Sequence, residues 1–565
     1  TTNLDVVDID GAVDMASTLT VAGNVVIDGG TIKLDGNYPT GTDNVALGDT
    51  AGDSLTSGID NTLIGSQAGT ALTDADYNTA IGFKALNADT LGSKSTAVGR
   101  GALLTQNFTS ATDSNNTAVG FNAGVLVTTG TNNTLIGGLA GDAITTGSNN
   151  VALGHDSLGL NTTGDSNTAI GEDALQANTT ASNNVAVGRR AMFANTTGTD
   201  NVAMGHNALD ANTTASNNTA IGHDALTANT TGHQSVAIGS GALAANTTAH
   251  SNTALGYLCL NDNTTGTFNS AVGTFTLDAN TTGDNNTALG YGALSANTTA
   301  DNNTGIGETA LLSNTTGAEN TAIGRRALFS STTASSNTAV GSNALLSNTT
   351  GTANVAMGRN TLDANTTASF NTALGESAMT ANTTGASNVA VGYHALVQNT
   401  TGSDNVAIGA SDNVAVGGAL GANTTGTNNI ALGQGALAAN TTANNNTAVG
   451  HSALTANTTG TENVAMGVNA LDANTTGDSN TALGNGSLSA NTTADNNTAV
   501  GRDALVANTT GTNNAAVGYK AGSAVTTATE ATCIGRQAGL SLTTGSSNTF
   551  IGGRAGQATT TAIEN

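Results

Sequence analysis

Apolar residues return in fixed phase along almost the whole chain, and glycine marks the phase. From Gly137 to Gly409 the spacing is 17 residues for sixteen consecutive steps. Taking the asparagine of Asn167-Thr168-Ala169-Ile170-Gly171 as position 1, the unit reads N-[TV]-A-[VILM]-G-x-x-A-L-x-A-N-T-T-[GA]-x-x. Positions 2 to 4 alternate β-forming residues and predict a short strand. The apolar residue at position 4 (Ile170, Val187, Met204, Ile221) is expected on one side and the position 3 alanine on the other. The glycines Gly137, Gly154, Gly171, Gly188, Gly205 and Gly222 end each strand, by a positive φ or by close backbone approach. Ala174-Leu175 and their equivalents begin a second apolar step. The Asn-Thr-Thr-[GA] run at positions 12 to 15 is turn chemistry.

A fixed period of this length is the signature of a solenoid. One unit cannot bury a core, so units must stack and form ladders of isoleucine, leucine, asparagine and threonine, with backbone hydrogen bonds running along the axis. A helical repeat is the competing reading, because Ala-Leu-x-Ala favours helix. Glycine and Asn-Thr-Thr in every unit leave room for no more than one helical turn. The expected fold is all-β, a parallel β-solenoid or β-roll of about thirty turns, about 145 Å long at ~4.8 Å per turn.

The phase divides the chain. Residues 1–40 lack the repeat and alternate polar and apolar residues, as in Leu4-Asp5-Val6-Val7-Asp8-Ile9; they read as a β-rich capping or attachment module, with Pro39 at its boundary. Residues 41–408 carry the regular repeat, with four extra residues at 100–119, around Asn107-Phe108-Thr109. Residues 409–432 break register: Asn405-Val406-Ala407-Ile408-Gly409 is followed at once by Asn413-Val414-Ala415-Val416-Gly417, and the seven-residue excess must bulge out or interrupt the stack. Residues 433–565 resume the repeat and end without a visible cap. An open end is a sticky strand edge, so a further segment or a partner is expected to cover it. Position 15 alternates glycine and alanine (Gly164, Ala181, Gly198, Ala215), a double repeat with no evident physical reason in the sequence.

Composition sharpens this picture. Only 9% of residues are charged and 3% aromatic, with no tryptophan, one proline and 73 glycines. Disorder is excluded, because an apolar residue held in strict phase is not a feature of disordered chains. The net charge of −26 opposes nucleic-acid binding. No run of about 18 apolar residues predicts a membrane span, and the residues that follow Thr1 do not read as a signal peptide. Cys259 and Cys533 stand where the repeat has alanine and read as small core residues. They lie some sixteen turns apart, too far for an intrachain bridge in a straight solenoid.

No catalytic constellation stands outside the repeat grammar, and neither an enzyme nor a cofactor is expected. Position 6, just after the glycine, is the most diverse: His155, Arg189, His206, His223, Tyr257, Tyr291, Arg325, Arg359, Tyr393, His451, Arg502 and Tyr519. Stacking places them in one stripe, a candidate surface for a glycan or protein receptor. His206 and His223 become direct neighbours on the order of 5 Å apart. No third ligand is evident, so no metal site is expected. Asn-Thr-Thr also matches the N-glycosylation acceptor pattern, but turn and ladder roles explain it. Threonine ladders invite an ice-binding reading, which needs a flat threonine array.

Ser235-Val236-Ala237-Ile238-Gly239 and the many Asn-Thr-Ala-Val/Ile-Gly runs resemble the head repeats of trimeric autotransporter adhesins, whose shorter units form left-handed β-rolls of three chains. The adhesins' coiled-coil stalk and membrane anchor have no counterpart in this sequence. The longer phrase, as in Asn337–Gly351, resembles repeats of bacteriophage tail-fibre proteins, and the run from Thr18 to Gly36 is similar to fibre-shaft sequence. Some such fibres end in a self-cleaving chaperone. The resemblance implies a parallel homotrimer, a virion or extracellular location, attachment to virion or tail proteins at the N-terminal end, and a host receptor as partner. Alanine faces left free by the thin core are expected to pack against sister chains. A bacterial surface adhesin or extracellular filament, and a monomeric ice- or glycan-binding solenoid, are the alternatives.

Overall fold

The computed structural model describes residues 41–411 and 418–564. The expected N-terminal module at 1–40 and the second Asn-Val-Ala-Val-Gly copy at 413–417 lie outside the described residues. Thirty three-residue strands form one parallel sheet. Each pairs with the next in unshifted register, as Thr168↔Val185, Ala169↔Ala186 and Ile170↔Val187 do. The protein is a parallel β-solenoid with one turn per 17-residue unit.

The hydrogen-bonded ladder extends well beyond these strands. In the turn that starts at Asn167, Leu175 N–H donates to Ala191 O of the next turn (3.0 Å), Ala177 N–H to Phe193 O (3.0 Å) and Thr179 N–H to Thr196 O (3.1 Å), while Asn183 N–H reaches back to Asp165 O (3.1 Å). Backbone polar groups are thus satisfied between turns around most of the coil. The threonine hydroxyls join in, with Thr179 Oγ1 donating to Thr196 O at 3.1 Å.

The interior corrects the expected sidedness. Position 3 alanines such as Ala169, Ala186 and Ala203 are fully buried with Ala174 and Leu175, whereas position 4 faces outward and leaves Met204 42% and Leu255 43% exposed. The isoleucine ladder exists, but on the outer face, and the alanine faces expected to meet sister chains are already used inside. The cause is width. At Gly305, which occupies position 3, even an added methyl would sit 3.2 Å from Leu294 Cγ. Larger residues enter position 3 only where position 9 shrinks: Leu63 faces Gly69, Leu135 faces Gly141 and Phe550 faces Gly556. In the first two of these turns Leu72 and Ile144 also replace the position 12 asparagine, so volume is approximately conserved. Cys259 and Cys533 are buried free thiols, pushed up to about 12 and about 11 by desolvation.

Two asparagine ladders run through the interior. At position 1, Asn184 N–H donates to Asn167 Oδ1 (3.1 Å), and Asn167 Nδ2 donates to Ala181 O (2.8 Å). At position 12, Asn178 Nδ2 donates to Asn161 Oδ1 (2.9 Å) and to the same Ala181 O (3.0 Å). One carbonyl therefore ties the beginning and the turn of each unit together. These asparagines are buried, which closes the Asn-Thr-Thr acceptor pattern to a glycosyltransferase in the folded chain.

The glycine ending each strand does both things expected of it. Gly171 has φ +129° and Gly188 φ +132°, and a Cβ on Gly171 would lie 2.6 Å from Gly188 O. The leucine at position 9 is less expected, because Leu175 has φ +52° and Leu209 φ +56°. A left-handed backbone costs a bulky residue about 1–2 kcal/mol, which burial of the leucine side chain offsets.

The glycine–alanine alternation at position 15 has a steric correlate. A Cβ on Gly198 would sit 2.1 Å from Ala215 O. In that tight turn Thr196 and Thr197 N–H both reach Thr213 O (2.9 and 3.2 Å), whereas in the Ala215 turn Thr213 N–H reaches Thr230 O at 3.2 Å and Thr214 N–H has no such bond. Gly198→Ala is expected to cost about 1–3 kcal/mol. Ala215→Gly is expected to cost no more than about 1 kcal/mol. Amide hydrogen exchange at the affected turn checks both; equal effects would refute the steric account.

Both register breaks leave the sheet continuous. Thr96–Val98 pairs with Thr117–Val119, and Val406–Ile408 pairs with Ile430–Leu432. Around the first break, Gly92–Ser93 and Thr112–Asp113 form a separate two-stranded sheet, and Phe108 folds inward. There the position 12 ladder carries Asp89 and Gln106, with Gln106 Nε2 donating to Asp89 Oδ2 at 2.6 Å. Burial pushes the Asp89 carboxyl up, against the opposing effect of that bond.

Candidate functional site: an outward ladder of charged and aromatic residues

The residue after each strand-ending glycine stands on the outside of the coil, because the positive φ turns the chain away from the core. Of the candidates, His155, Arg189, His223, Tyr257, Tyr291, Arg325, Arg359, His451, Arg502 and Tyr519 are exposed, and His206 and Tyr393 are half-buried. They lie along one edge of the sheet, Arg189, His206 and His223 on three successive turns, Arg502 and Tyr519 on two, and the others further apart, with the strands and the buried Ala-Leu pair as a rigid backing.

The stripe breaks into local groups. Arg189 pairs with Glu172 (Nε–Oε2 3.3 Å) and touches His206 (Nη1–Nε2 3.4 Å). The His206 and His223 rings stack with centroids 5.3 Å apart and planes 13° apart, close to the expected spacing. Arg359 pairs with Glu376, which raises the guanidinium further above its usual range. Tyr393 stacks on His394 at 3.8 Å. Arg502 lies 3.5 Å from its neighbour Asp503. Exposed pairs of this kind are screened by solvent and add little to stability, so they shape the surface more than they hold the fold.

Several members were missed in the sequence, some of them because only position 6 was followed. Phe275 at position 7 is left-handed, with φ +53°, and this brings its ring between Tyr257 (5.6 Å) and Tyr291 (6.2 Å), edge to face with both. Phe83, Arg100 and Phe121 occupy position 6 in earlier turns, with the Arg100 guanidinium 5.8 and 5.4 Å from the two ring centroids. His233, His250 and Phe268 form a further aromatic run at positions 16 and 17. The signal was available for Tyr257, Phe275 and Tyr291 and for His233, His250 and Phe268 as aromatic residues recurring at 16 to 18 residues, and for Phe83, Arg100 and Phe121 as position 6 itself.

Asp224 is a second omission. It follows His223 at position 7 with φ +55°, and its Oδ2 lies 2.9 Å from His223 Nδ1. No third ligand was evident in the sequence; the left-handed residue beside His223 supplies a carboxylate.

The stripe is a surface and not a cleft. The depression beside Phe83, Lys84 and Arg100 offers about 40 Å³, room for a water and too small for a sugar ring. No helix among the described residues is long and apolar enough to cross a membrane. No protein-family model and no curated protein matches this chain.

Proposed function

We propose that this chain is a non-enzymatic structural fibre, a phage tail fibre or virion appendage that holds a host-attachment surface away from its base. The observation that carries this reading is the single thirty-stranded parallel sheet, a rigid spacer of about 140 Å that displays groups of charged and aromatic residues along its outer edge. Exposed aromatic rings such as Tyr257 and Tyr291, 50% and 57% accessible, suit stacking on a host glycan or contact with a protein receptor. Virion or tail proteins are the partners at the N-terminal end, and the location is the virion exterior.

The fibre is a parallel homotrimer in this reading. The position 4 stripe supports self-association: Ile170, Val187, Met204 and Ile221 face outward with identical spacing, and a second copy of the same repeat can match it turn for turn. It also lacks the acidic residues that give the chain its charge.

Gold-labelled antibodies against the chain, viewed on purified virions, test the assignment. Label on a tail appendage is expected. Label only on bacterial surfaces would replace the fibre by an adhesin. Native mass measurement gives three chains per particle if the trimer is right; a single-chain mass sinks it.

A further inference from the structure

We propose that His206, His223 and Asp224 form a binding site for one divalent transition-metal ion, bridging two adjacent turns of the coil. Their candidate donor atoms all lie within 4.8 Å of one another, the one such group among the described residues. The arrangement follows from the repeat. Residues 17 apart stand directly above one another, and the left-handed residue after the second histidine turns its carboxylate to the same spot. Two imidazoles and one carboxylate make a donor set that suits zinc, cobalt, nickel or ferrous iron, not calcium or magnesium, which take oxygen ligands.

The surroundings support a ligand role. Asn207 Nδ2 donates to Asp224 Oδ1 at 3.2 Å, which fixes the carboxylate and leaves Oδ2 toward His223. This is the kind of outer contact that orients a metal ligand. Nδ1 of His206 is shielded from solvent and has no hydrogen-bond partner. Among the nearby charges, Arg189 pairs with Glu172, and Asp210, which also lies within the electrostatic reach of His206, is paired with Arg190 (3.3 Å). Asp224 is the carboxylate whose oxygen lies with both imidazoles.

Closing the site needs small movements. An ion with bonds of about 2.1 Å holds its donors about 3.4 Å apart, so one of the stacked rings must tilt. The His223 side chain is 60% accessible and can do so. Arg189, at 3.4 Å from His206 Nε2, shifts toward Glu172 as the ion enters. Three protein ligands leave the remaining positions to water, so the ion acts as a clip between turns and an open coordination point on the outer ladder.

Equilibrium dialysis of the full chain against Zn²⁺, with Co²⁺ absorption as a readout of coordination geometry, tests the site. One ion per chain is expected. His206→Ala and His223→Ala are each expected to weaken binding by about tenfold or more. His223 is exposed and His206 half-buried on the outer side of the coil, outside its packed interior, so the fold should persist, which hydrogen exchange of the neighbouring turns checks. His233→Ala, in the other adjacent histidine pair, should leave binding unchanged. Absence of binding at about 0.1 mM Zn²⁺, or undiminished binding by both His206→Ala and His223→Ala, would overturn the proposal.

Discussion

Gly222→Ala is expected to open the coil at a single turn. Gly222 has φ +138°, and an added Cβ would lie 2.5 Å from Gly239 O and 3.0 Å from Ser240 N. Backbone strain of about 1–3 kcal/mol adds to a clash that no side chain can relieve, because the opposing atoms are backbone of the next turn. The total is on the order of 3 kcal/mol or more. In a stack where each unit touches only its neighbours, the damage stays local. Hydrogen exchange should lose protection around 205–239 while distant turns keep theirs, and limited proteolysis should cut there. Gly552→Ala isolates the two causes, because φ is +121° but nothing lies within 4 Å of the added methyl. It should cost only the strain. Equal losses at both sites would show that stacking contributes nothing.

Asn201→Asp is the second large effect, since it changes one atom and breaks the buried ladder. Asn201 Nδ2 donates to Asn184 Oδ1 (3.2 Å) and Ala215 O (2.9 Å), while its Oδ1 accepts from Asn218 N–H (2.9 Å). A carboxylate keeps the acceptor role and turns an oxygen toward two other oxygens in a site closed to water. An uncompensated buried charge of this kind costs about 3–5 kcal/mol. Burial raises the carboxyl's folded pKa above its unfolded value of about 3.9, so the folded state binds more protons between those two values. Stability of the variant should therefore rise as pH falls through that window and be lost as pH rises through it. Exchange protection around 184–218, followed from acid to neutral pH, measures this. A pH-independent loss would refute the electrostatic account.

Much of the architecture was legible in the repeat. The 17-residue glycine fixed the number of turns and the parallel register, because only like-on-like stacking lets such a short unit bury anything. The same arithmetic put His206 beside His223. Sidedness was harder to read. Thr168-Ala169-Ile170 offers one small residue against two larger ones, and local hydrophobicity favours placing isoleucine inside. The coil interior already holds a leucine, an alanine and two asparagines per turn, which leaves room for a methyl. The asparagine ladders were legible as in-register stacking, but the position 12 asparagine read as a turn residue, and nothing local reveals that both ladders are buried or that one carbonyl accepts from both.

The outer ladder shows the same division. Position 6 was legible as a stripe because its residues vary while the scaffold does not. Phe275 and Asp224 escaped notice because a left-handed residue at position 7 points to the same edge, a consequence of backbone conformation and not of spacing. The sequence by itself determined the period, the stacking and which turns are neighbours, since these depend only on chain length between repeats. The tertiary structure alone decided which face is inside and which side chains converge, since these depend on the width of the coil and on φ values that three-dimensional packing imposes.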